Sequence, residues 1–320
     1  MKLKLNKNFF IKFVFILLII FIIGINITYS QSIFMPVSEI KPDMKGIGKT
    51  VFHGIKIDTF RVDIIDIVKG ESGITHFILA YLSGDKIEES GGISEGMSGS
   101  PVYINGRLIG AISYAWEMSE HNLCLITPIQ EMLRMFNLPY NYNQVTSQVY
   151  QIKNSLCFMG REVNKIIVRD CIENNSFQKL TKQDEITFYP IISPVIISGI
   201  KGRSLERLSN SIKKFNIIPI QGVMVNETDK VDLQGVGERS SNEIEAGSAI
   251  GIQLTRGDVN ITSIGTVTYR EGNKILALGH PFLKKGEVSY LISAVYIYHS
   301  LPNIIMPFKL GSPLNLVGRV

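Results

Sequence analysis

The 320 residues include three cysteines, one tryptophan and only 19% charged side chains. Cys124, Cys157 and Cys171 are too few and too irregularly spaced for a disulfide framework or a zinc site. One disulfide in an oxidising compartment stays open, and Cys124, inside Asn122-Leu123-Cys124-Leu125-Ile126, also reads as a small buried hydrophobe. No H-E-x-x-H occurs, and His76, His121 and His299 share no ligand spacing, so neither a metal nor a cofactor is expected. Gly46-Ile47-Gly48-Lys49-Thr50 lacks the first glycine of a phosphate loop, because position 43 is Asp43. No period of 20–50 residues repeats, which excludes a solenoid. An apolar content of 45% excludes a disordered chain and supplies core for about two domains.

The net charge of +5 is concentrated at one end. Lys2, Lys4, Lys7 and Lys12 precede the apolar run Phe13 to Ile23, followed by the polar stretch Asn26 to Gln31. A basic start, an apolar core and a small residue near the exit predict a secretory signal peptide over residues 1–30, with an uncleaved anchor as the alternative. Cleavage near Ser30 removes four of 33 basic residues and none of 28 acidic ones, leaving +1. Such a chain lacks the electrostatic footprint of a nucleic-acid binder. The expectation is an exported protein, periplasmic or extracellular, that touches a membrane only through this segment.

The remainder reads as mainly β with some α. In residues 35–137, Met44 to Phe52, Phe60 to Val68 and His76 to Leu82 are strand-like, the second by its alternation. Asn105-Gly106 between Val102-Tyr103-Ile104 and Leu108 to Ser113 is a strong hairpin signal. Thr127-Pro128 predicts an N-cap and first helical residue for a short helix. Together these predict a small antiparallel barrel or sandwich closed by a helix. Residues 138–245 read as an intervening α/β region of low regularity. It holds a strand from Ser193, a helix from Ser204 to Phe215 with Leu205, Leu208 and Ile212 on one face, a further strand, and a linker from Val231. Residues 246–320 resume the β pattern and run to Gly318-Arg319-Val320 in strand-like sequence, which is expected either to complete an edge or to reflect a chain shorter than its relatives.

The informative segment is Gly91-Gly92-Ile93-Ser94-Glu95-Gly96-Met97-Ser98-Gly99-Ser100-Pro101-Val102-Tyr103. A serine between glycines just before a strand can sit on a tight turn whose backbone N–H groups converge on a developing oxyanion. This block, continued by Asn105 to Ala111, resembles the nucleophile segment of the serine peptidases of the stage IV sporulation protein B family. A second block, Ile264 to Tyr269 and Lys274-Ile275-Leu276-Ala277-Leu278-Gly279-His280, resembles the family's histidine segment. The resemblance implies a two-barrel, chymotrypsin-like serine endopeptidase acting on a protein or peptide substrate. Ser98 would be its nucleophile and His280 its base, with the N–H groups of Gly96, Met97 and Ser98 as the oxyanion hole.

Two departures accompany it. The histidine follows the serine by 182 positions here, whereas it precedes it in the sporulation peptidase, which implies permuted barrels. The family's acid, fifteen residues before the nucleophile, falls on Ser83; Asp85 is the nearest carboxylate, on the same face if a strand continues. His53 is the alternative base, and Tyr114 and Trp116 would line the substrate cleft or pack in the core. The alternative function is a catalytically inactive, peptidase-like envelope protein that serves as a binding or structural module.

Overall fold

A computed structural model describes Asn8, Lys12 to Phe15 and residues 32–70, 76–116, 122–136, 147–158, 160–169, 184–212, 219–222, 243–283, 287–303 and 307–320. The expected cleavage region at Ser30, Cys171, His121 and most of the expected linker lie outside the described residues. In the segment before Phe34, Asn8 and Lys12 to Phe15 are helical. Among the described residues no helix is long and apolar enough to cross a membrane.

The expected strands form, and Leu123–Pro128 adds a strand that the sequence reading did not include. They are β1 (Lys45–Val51), β2 (Ile57–Lys69), β3 (His76–Ser83), β4 (Pro101–Ile104), β5 (Arg107–Trp116) and β6 (Leu123–Pro128). Burial alternates along β1 and β2, whereas β3 and β5 are nearly continuous buried runs. Asn105 and Gly106 both adopt positive φ, 51° and 76°, as the two-residue β4–β5 turn requires. Following hydrogen-bonded neighbours gives β1-β4-β5-β6-β3-β2, and β2 pairs back onto β1. These six strands are thus a closed antiparallel barrel with no free edge. Its interior holds Val62, Ile64, Ile78, Leu82, Ile93, Met97, Val102 and Ile112.

The region expected to be irregular supplies β7 (Ser147–Phe158), β8 (Arg161–Arg169) and β9 (Glu185–Pro190). β7 meets β2 at Gln151 and Lys69, and β9 pairs with β5. A second closed circuit therefore shares β2, β3, β6 and β5 with the first. Its own core contains Phe77, Leu79, Tyr114, Leu125, Tyr150 and Phe188. The alternation of β7 is interrupted by a register shift between Gln151 and Leu156, so its strand pattern is broken in the sequence.

A separate seven-stranded sheet holds β10 (Val195–Ser198), β11 (Pro219–Gln221), β12 (Ala249–Thr255), β13 (Asn260–Glu271), β14 (Lys274–Ala277), β15 (Leu291–Leu301) and β16 (Phe308–Arg319). β10 and β11 are parallel and flank the helix Gly202–Ile212, in which the expected Leu205, Leu208 and Ile212 are half-buried. The architecture is mainly β with two sheets, as expected of a double-barrel peptidase fold. One local expectation fails: Thr127 is the penultimate residue of β6, and its hydroxyl donates to Ser113 Oγ at 2.8 Å instead of capping the helix Ile129–Leu133. Pro128 occupies the N-cap position with no side-chain cap.

Candidate active site

The turn Gly96 to Ser100 lies between the closed barrel and β13. Three of its carbonyls are tied to β13: Thr266 Oγ1 donates to the Gly96 oxygen (2.9 Å), Thr266 N–H to the Ser98 oxygen (3.0 Å) and Thr268 Oγ1 to the Gly99 oxygen (2.7 Å). On the barrel side, Gly99 N–H donates to the Ile112 oxygen at 2.8 Å. Gly99 has φ +91°, and a Cβ there would stand 2.1 Å from the Thr266 oxygen and 2.4 Å from Leu278 N. Both obstacles are backbone, so no side chain can yield. Gly99→Ala is expected to destabilise the protein by at least about 3 kcal/mol, read as a lowered midpoint in urea unfolding.

The second segment enters from β14. Leu278 and Gly279 are consecutive left-handed residues, φ 69° and 66°. For leucine this is a costly conformation, and such strain concentrates at functional sites. It turns the Leu278 carbonyl onto Ser98, whose Oγ donates to it. A Cβ on Gly279 would lie 3.0 Å from the Ile112 oxygen, the same atom that Gly99 N–H reaches. The fold therefore brings the Ser98 turn and the Gly279-His280 turn together across 182 positions of sequence.

Within that junction the two side chains engage different partners. Ser98 is fully buried, and its only proton is committed to Leu278. His280 is half-buried, with Nε2 2.9 Å from the Ile191 oxygen and Nδ1 3.2 Å from the oxygen of Pro281. A neutral imidazole can donate to only one of two carbonyls; the imidazolium donates to both. Tyr114 packs in the second core, edge-on to Phe77 at 5.2 Å, and its ring also lies 6.1 Å from that of His280. Trp116 packs at the margin of the same core.

The expected oxyanion donors separate by their bonding. Met97 N–H closes the turn onto the Ser94 oxygen at 2.9 Å, and Gly96 N–H reaches the Ile192 oxygen at 3.3 Å. Among the described residues, Ser98 N–H is the one amide of the Gly96 to Ser100 turn without an acceptor.

Asp85 is exposed and begins the short helix Asp85–Glu89, because β3 ends at Ser83 and Gly84 has φ 120°. The strand alternation that would carry Asp85 onto the face of Ser83 stops there. His53 is exposed beside Tyr296, with ring centroids 6.0 Å apart, and His299 is exposed as well. Cys124 is buried and Cys157 exposed, both free thiols; burial pushes the Cys124 thiol up. No cluster of metal-ligating side chains exists among the described residues.

Two charged residues with no assigned role in the sequence reading sit against the turn. Lys309, on β16, is wholly buried, and its stem crosses Gly96. Its Nζ donates to Thr50 Oγ1 at 2.6 Å, and that hydroxyl lies 3.5 Å from Thr266 Oγ1. Burial draws the ammonium down to about 7. Glu95 is buried with Oε1 unpartnered, and burial pushes its carboxyl up to about 8. The backbones of the two meet, Lys309 N–H donating to the Glu95 oxygen at 3.0 Å. Neither was legible beforehand, since a lysine in a strand and a glutamate in a glycine-rich turn ordinarily face water.

A buried serine on a glycine turn, a free amide beside it and a strained turn that leads to a histidine lie at one junction of this mainly β, two-sheet fold. Residues 28–127 match the family model described as SpoIVB peptidase S55, which bears out the resemblance drawn on that block. The match includes Ser98, ends before His280 and spans just under a third of the chain. No curated protein matches the chain, and no solved structure does. The match supports a serine peptidase of the SpoIVB type, a hydrolase.

Proposed function

We propose that the protein is an exported serine endopeptidase in which Ser98 is the nucleophile and His280 the proton carrier. The observation that carries this reading is the meeting of the two turns at the Leu278 and Ile112 carbonyls. In the reaction Ser98 Oγ forms a bond to the scissile carbonyl carbon and passes its proton to His280 Nε2. Collapse of the intermediate breaks the C–N bond, and the amine leaves with that proton. Water then repeats the cycle on the acyl-enzyme and restores the Ser98 hydroxyl. Ser98 N–H, joined by Gly96 N–H, stabilises the oxyanion.

The Pro281 carbonyl facing Nδ1 takes the tautomer-holding part usually played by an acid, because Asp85 is exposed at a helix start. The basic and apolar N-terminal segment supports export. The competing reading, an inactive scaffold used as a binding module, draws on the carbonyl partners of Ser98 and His280. A fluorophosphonate probe separates them: Ser98 Oγ displaces fluoride at phosphorus, and His280 takes the hydroxyl proton. Labelling of the wild type and none of Ser98→Ala is the expected result. Equal labelling of both proteins contradicts the assignment.

A further inference from the structure

Between β9 and β10 the chain passes through Ile191-Ile192-Ser193-Pro194, and two consecutive carbonyls of this strap face the catalytic groups proposed above. The Ile191 oxygen lies 2.9 Å from His280 Nε2, and the Ile192 oxygen accepts from Gly96 N–H at 3.3 Å. In the reading above His280 Nε2 has to receive the serine proton and Gly96 N–H is an oxyanion donor, so the two carbonyls occupy both groups. We infer that Ile191–Ser193 is an internal occupant of the substrate's place and that the enzyme is latent until this strap is displaced.

The bonding of the strap fits a segment that can leave. Pro190 and Pro194 flank it and bring no N–H. Ile191 N–H donates to the Ser113 oxygen at 2.9 Å, continuing the β9–β5 pairing. Among the described residues, the N–H groups of Ile192 and Ser193 make no hydrogen bond, and the buried Ser193 Oγ is unpartnered. Ile191 is fully buried in the core of the first barrel and holds that end of the strap, whereas the partnerless N–H groups of Ile192 and Ser193 and the unpartnered Ser193 hydroxyl make the stretch beyond it the weakly held part. With the strap seated, His280 faces a carbonyl at each nitrogen and has no lone pair turned to Ser98. Withdrawal of the Ile191 and Ile192 oxygens frees Nε2 and restores a pair of oxyanion donors, Gly96 N–H and Ser98 N–H. A substrate that takes this place brings its own carbonyl to the same donors.

This inference rests on the hydrolase reading and is tested so that the two can fail separately. A phosphonylated Ser98 places its P=O oxygen at Gly96 N–H, which the Ile192 oxygen has to vacate. Hydrogen exchange followed by mass spectrometry is measured on the whole protein, free and after reaction with a small fluorophosphonate. The Ile191 amide is expected to exchange at least tenfold faster in the adduct. In parallel, Ile192→Gly, which removes a buried side chain of the strap and loosens its backbone while leaving Ile191 in the core, is expected to label at least tenfold faster than wild type. Should that variant not fold, the exchange comparison on wild type stands alone. An adduct that forms with unchanged exchange at Ile191 overturns the strap and leaves the hydrolase intact, the segment being a fixed crossover. Absence of any adduct in both wild type and Ile192→Gly overturns both.

Discussion

Replacing Ser98 by alanine is expected to lower kcat/KM for an unfolded, fluorogenically labelled polypeptide by about 10⁴- to 10⁶-fold, and His280→Ala by a similar factor. The double variant should be no worse than the more damaged single one. Nucleophile and base act as a unit, so once one is gone the other has nothing to activate. What survives is the contribution of the oxyanion donors and of binding. Asp85→Asn and His53→Ala should each change kcat/KM by less than about tenfold, because both side chains are exposed and neither meets Ser98. A loss as large for Asp85→Asn as for Ser98→Ala would restore the carboxylate to the catalytic unit and displace the Pro281 carbonyl from its part.

A second large effect belongs to folding stability and its dependence on pH. Glu95 holds its proton in the folded protein up to about 8, against an ordinary 4.5. Between those values the folded state binds the extra proton, so stability falls as pH rises through this window. Lys309 behaves oppositely in form: it loses its proton at about 7 when folded and at 10.5 when unfolded. There the unfolded state binds the extra proton, and stability rises with pH between those values. The two slopes oppose each other between about 7 and 8, leaving a minimum of stability there.

Each limb amounts to a few kcal/mol at about 1.4 kcal/mol per pH unit. Urea midpoints of wild type, Glu95→Gln and Lys309→Met at pH 5, 7.5 and 10 isolate the two contributions. Relative to wild type, Glu95→Gln should gain stability from pH 5 to 7.5, and Lys309→Met should lose its advantage from pH 7.5 to 10. Flat differences across the range would mean that neither group titrates within the folded core.

β2 was legible from its period-two pattern, the β4–β5 hairpin from Asn105-Gly106 and β3 from its apolar run, whereas β6, buried on both faces, was not read as a strand. The Ser98 turn stood out by its glycines, and the roles proposed for Ser98 and for the remote His280 came only through resemblance. β7 escaped because a register shift breaks its alternation, and with it went the second closed circuit. Lys309 and Glu95 escaped for a different reason. Burial of a charge is a property of what packs over it, and β16 and the residue 91–100 turn are distant in sequence. The strap was invisible as such: Tyr189-Pro190-Ile191-Ile192-Ser193-Pro194 carries an ordinary apolar pattern, and its significance lies in which carbonyls face His280 and Gly96.

The most direct measurement is to quench the protein with acid while it turns over an activated ester and to locate the acyl group by tandem mass spectrometry. An acyl group on the Ser98 oxygen, missing in Ser98→Ala, is the predicted result. Turnover with the acyl group on Ser94 or Ser100, or with none anywhere on the chain, would contradict it.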